Sequence, residues 1–112
     1  MEVVAAVVFA AAALGGLFLA YQHFQGRPLP VPVAVIHGIA AAAALILLAI
    51  AVFTDDLDGA ATVALVIFVV AALGGFYLAS FHMREDRRPS ALVAGHGLIA
   101  VVAFVTLLVA IA

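Results

Sequence analysis

The chain has 112 residues, 70% of them hydrophobic and only 9% charged, with a formal net charge of −2. A soluble domain is about 45–50% apolar and about a quarter charged. So few polar groups cannot cover a core, and the composition excludes a soluble globular fold. With no cysteine there is no disulfide, thiolate metal site or iron–sulfur cluster, and with four arginines and no lysine there is no basic patch for nucleic acid.

The first apolar run covers about Val3 to Phe24. It exceeds the roughly 20 residues that a transmembrane helix needs. Met1-Glu2-Val3-Val4 lacks the basic start of a signal peptide, so the run reads as a retained helix. Gly26, Pro28, Pro30 and Pro32 then punctuate the chain as a short, stiff turn. A second run follows from about Val33 to Phe53, and Thr54 to Gly59 form a polar turn in which Asp58 can cap the next helix. The third run covers about Ala60 to Met83, Arg84 to Ser90 form the third turn, and the fourth run covers about Ala91 to Ala112.

The two halves are copies of one another. His23, Pro30, His37 and Gly38 recur as His82, Pro89, His96 and Gly97, at a constant period of about 59 residues. Pairing 1–53 with 60–112 gives about 19 identities in 53 positions. The fold class expected is therefore all-α: a single domain over 1–112, an integral membrane four-helix up-down bundle built from two tandem two-helix hairpin repeats. A unit with two crossings returns to its starting side, so the repeats run parallel and are related by an axis along the membrane normal.

All four arginines (Arg27, Arg84, Arg87, Arg88) fall in the first and third turns, whereas the other end carries Glu2, Asp55, Asp56 and Asp58. The positive-inside rule places the arginine turns in the cytoplasm and both termini outside, in a membrane of the prokaryotic inner type. Tyr21, Tyr77, Phe24, Phe76 and Phe81 then form an aromatic belt at the interface.

Every histidine lies at one of the matched positions, and up-down topology brings all four to the cytoplasmic end at similar depth. Helical steps back from His23 give Ala20, Leu19, Gly16, Gly15, Ala13 and Ala12, matched one for one by Ala79, Leu78, Gly75, Gly74, Ala72 and Ala71 behind His82. Forward from His37 run Ala41, Ala44, Leu48 and Ala51, matched by Ala100, Ala103, Leu107 and Ala110 after His96. The shared residues thus fall on the histidine faces, which points all four imidazoles at a common interior. Gly15, Gly16, Gly74 and Gly75 read as close helix contacts, and Gly38 and Gly97 as clearance for a flat ring.

Ionisable groups inside a membrane are costly and usually functional. Neutral imidazole suits haem iron, and facing helices of a bundle can supply an axial pair. On four helices and His23, His37, His82 and His96, the chain resembles the four-helix transmembrane b-type cytochromes. That resemblance implies haem b and electron exchange with quinone or a larger respiratory-type complex, as an oxidoreductase component; members of the family often hold haems near opposite faces, whereas four histidines on one face suit one haem, or two side by side. His37 and His96 are the expected axial pair. His23 and His82 would form a second pair, or join Arg27 and Arg84 in holding haem propionates. The alternatives are a four-His transition-metal site for Zn, Cu or Fe at His23, His37, His82 and His96, or a non-catalytic packing subunit. A homo-oligomer is compatible with either. Ser80, Ser90, Thr54, Thr62 and Thr106 show no nucleophile–base pattern, so hydrolytic chemistry is not expected.

Overall fold

The computed structural model describes residues 1–55 and 59–112. It contains four α-helices: α1 (Glu2–Phe24), α2 (Val31–Thr54), α3 (Gly59–Met83) and α4 (Ser90–Ile111). All four are long and apolar enough to cross a membrane. They form a bundle of 43 × 23 × 21 Å. α1 packs closely on α2 and α3 on α4, and the two hairpins meet more sparsely through α1 with α4 and α2 with α3. The expected capping by Asp58 lies outside the described residues.

Helix boundaries follow local chemistry. α1 ends in a Schellman motif, in which Arg27 N–H donates to the Gln22 carbonyl and Gly26 N–H to that of His23, with Gly26 at φ +69°. α3 ends the same way, with Asp86 N–H on Phe81 and Glu85 N–H on His82. Here the left-handed position holds Glu85, at φ 58°. Pro30 and Pro89 occupy the N-caps of α2 and α4. One expectation is corrected. Pro32 does not break the chain before α2 but lies within its first turn, where the missing N–H has no helical partner to lose.

The core is narrow and made of paired positions one period apart. Ala5 and Ala64, Phe9 and Phe68, Ala44 and Ala103, and Leu48 and Leu107 are all buried. Phe9 and Phe68 stack across the α1–α3 diagonal with ring centroids 3.7 Å apart and planes within 2°. No polar or charged side chain is buried among the described residues. Large apolar side chains such as Leu14, Leu17, Ile36, Ile39, Leu73 and Leu98 lie outward. A face so extensively apolar is what lipid contact selects.

Candidate cofactor site

His37 and His96 lie on α2 and α4, each six residues past the helix start. Their rings meet across the bundle with centroids 6.4 Å apart and planes at 88°. Each ring is anchored on the other helix of its own hairpin. His37 Nδ1 lies 2.7 Å from the Ala12 carbonyl oxygen, and His96 Nδ1 lies 2.8 Å from that of Ala71. A carbonyl only accepts, so both rings carry a proton on Nδ1, and in the neutral imidazole Nε2 is then the free acceptor.

The glycine pairs explain why those carbonyls can be reached. In a helix, the carbonyl of residue i is flanked by the side chains at i+3 and i+4. For Ala12 these are Gly15 and Gly16, and for Ala71 they are Gly74 and Gly75. With no side chain over it, the carbonyl's second lone pair is open to an imidazole from the facing helix. A methyl group at Gly16 would lie 2.9 Å from His37 Cε1, and one at Gly75 would lie 3.1 Å from His96 Cε1. These glycines therefore seat imidazoles rather than a neighbouring backbone, which replaces their expected role as helix contacts. Gly38 and Gly97 are exposed, and a Cβ at either meets nothing within 4 Å beyond its chain neighbours. The rings draw their clearance from α1 and α3.

His23 and His82 are arranged differently. His23 Nε2 is 3.0 Å from Ser90 Oγ, tying the end of α1 to the start of α4. Arg88 donates from Nη1 to His82 Nδ1 at 3.1 Å, which commits that nitrogen as an acceptor. No three His, Cys, Asp or Glu side chains among the described residues converge as a metal-holding group. The structure thus brings together His37 and His96 over Gly16 and Gly75, seven residues or roughly 10 Å along α1 and α3 from His23 and His82, so the four histidines share neither one point nor the similar depth expected. Arg27 reaches toward Gln22 and the Tyr21 ring, while Arg84 bonds the Ser80 carbonyl, pairs with Asp86 at 3.8 Å and covers the Phe81 ring.

Two features were not anticipated. An apolar groove of about 150 Å³ opens beside His96, lined in part by Gly74, Tyr77 and Gly95. One period away Gly95 is replaced by Ile36, so the sequence did carry a signal for a one-sided groove. At the arginine end a polar groove of about 330 Å³ gathers His23, Arg27, Arg87, Arg88 and Ser90. Comparisons with protein-family models, curated proteins and solved structures find no match.

Proposed function

We propose that the chain is an integral membrane electron-transfer protein or subunit that holds haem b between His37 and His96. In this reading the two hairpins are tandem repeats, the arginine turns face the cytoplasm, and the termini lie outside. The observation that carries it is the His37–His96 pair. Metal–nitrogen bonds of roughly 2.0–2.1 Å to each of two imidazoles would need the rings close together. The rings here are 6.4 Å apart. Both Nδ1–H groups are held by backbone carbonyls. That is the outer-shell partner that fixes a ligating histidine's tautomer and raises its basicity. Two imidazoles held in this way are a donor set of the kind a haem iron takes.

Haem would supply one-electron chemistry, and the chain supplies two oriented imidazoles in a dry, apolar bundle. The groove beside His96 supports quinone as the exchange partner, since it is apolar and reaches one ligand from the bundle's flank. The test is the reduced-minus-oxidised absorption spectrum of protein purified from haem-replete cells. A Soret band that disappears in both His37→Ala and His96→Ala and survives in His23→Ala supports the reading, and wild-type protein without a Soret band refutes it. The same pair also suits a single transition-metal ion, because imidazole ligates Zn, Cu and Fe alike. Metal analysis of haem-free protein separates that alternative.

A further inference from the structure

The polar groove at the arginine end is assembled from both hairpins: His23, Phe24 and Arg27 come from the end of α1, while Arg87, Arg88 and Ser90 come from the turn into α4. Three guanidinium groups line it, and no carboxylate does. The ion pair at this end, Arg84 with Asp86, involves neither Arg27, Arg87 nor Arg88. Arg88 Nε is buried and has no hydrogen-bond partner. No side chain caps α4, so the positive end of that helix opens beside Ser90. Like charges gathered around a hollow repel one another unless an anion occupies it. At about 330 Å³ the groove is larger than a bare ion needs.

The sequence marks this groove as a feature of one side only. One period from Arg27, Arg87, Arg88 and Ser90 stand Asp86, Pro28, Leu29 and Val31. The matching corner of the bundle therefore lacks the three cations and the hydroxyl, although the buried positions of the two halves are paired. The cations and the hydroxyl are thus a property of this corner and not of the repeat.

We propose that this groove is a binding site for a phosphate-bearing anion, contributed by a phospholipid headgroup or by free phosphate. Planar guanidinium groups match phosphate oxygens with paired hydrogen bonds, Ser90 adds a hydroxyl, and basic pockets between membrane helices are suited to anionic headgroups. Phe24, exposed at the edge, offers an apolar surface for an acyl chain. The site is separate from the haem reading, because the groove's lining is carried by other residues: its hydrogen bonds join His23 to Ser90 and Arg88 to His82, whereas His37 and His96 are held by the Ala12 and Ala71 carbonyls.

The test is native mass spectrometry of the delipidated, full-length chain titrated with phosphatidylglycerol, phosphatidylcholine or inorganic phosphate. Phosphatidylglycerol should bind at least about tenfold tighter than phosphatidylcholine, and Arg88→Gln should weaken it by about tenfold. The charge-matched Arg84→Gln should retain binding, and Arg88→Lys should recover part of it. Helical circular dichroism verifies that each variant folds, and Arg87→Gln with Ser90→Ala reads the same site if Arg88→Gln does not. Phosphatidylglycerol binding that millimolar phosphate does not displace assigns the site to lipid, and displacement assigns it to free phosphate. The proposal is overturned if Arg88→Gln and Arg84→Gln behave alike, or if neither phosphatidylglycerol nor phosphate is preferred over phosphatidylcholine. It is also overturned if Arg88→Gln loses haem while keeping lipid binding, which would give the groove to haem carboxylates.

Discussion

Gly16→Ala tests the seating of the imidazole directly. The added methyl would lie 2.9 Å from His37 Cε1, closer than carbon atoms tolerate, while Nδ1 of the same ring is 2.7 Å from the Ala12 carbonyl. The ring cannot yield without lengthening that hydrogen bond. Overpacking of this kind costs about 1–3 kcal/mol, and hydrogen bonds between membrane helices average about 0.6 kcal/mol. Against this, alanine favours helix over glycine by about 0.8–1 kcal/mol. The net expectation is a loss of about 0.6–2.8 kcal/mol. Gly38→Ala is the reference, because it carries the same propensity change into open space and should be neutral or stabilising. Gly15→Ala should lie between the two, its methyl 3.6 Å from His37 Cβ. Helical circular dichroism through an SDS titration in mixed micelles gives the three midpoints. In haem-loaded protein, Gly16→Ala should also shift or weaken the Soret band. If Gly16→Ala and Gly38→Ala have the same midpoint and the same spectrum, the glycine pair does not seat the ring and the reasoning fails.

Glu85 occupies the left-handed Schellman position that Gly26 fills in the first hairpin, so Glu85→Gly should stabilise the protein by about 0.5–1 kcal/mol, read as a higher midpoint in the same titration. Removing one ring of the Phe9–Phe68 stack by Phe68→Ala should cost at least about 0.5–1.5 kcal/mol and should not touch the His37–His96 pair; a spectrum altered as severely as that of His96→Ala would contradict this separation. A reporter fused after Ala112 should be active only if it folds outside the cytoplasm, and cytoplasmic activity would reverse the proposed orientation.

The four helices were legible because each rests on one strong local signal, an apolar run long enough to span, with Gly, Pro or charged residues in the turns between them. The boundary error at Pro32 has an equally local cause, since proline both ends and begins helices and only the partner of its N–H distinguishes the two. Much of the core was legible from the repeat, because Ala12, Ala44, Leu48 and Ala51 lie on the matched faces and are buried. The walk along the first face stopped one turn short of Phe9 and Phe68, although the same period marks them. It also included Ala13, which is exposed: ten residues from His23 is about 80° around the helix, too far to share a face.

The sequence by itself determined that the chain is four apolar helices long enough to span, with every histidine in the half of the bundle toward the arginine turns. Only the tertiary structure decided that His37 and His96 form a pair while His23 and His82 are bound to Ser90 and Arg88, and that the glycine pairs expose carbonyls to imidazoles. It alone assembled Arg27, Arg87 and Arg88 from two hairpins into one groove. The physical reason is that periodicity fixes the direction a residue faces around its own helix. The partner it meets depends on the axial register between helices, which packing sets and no single-helix pattern records.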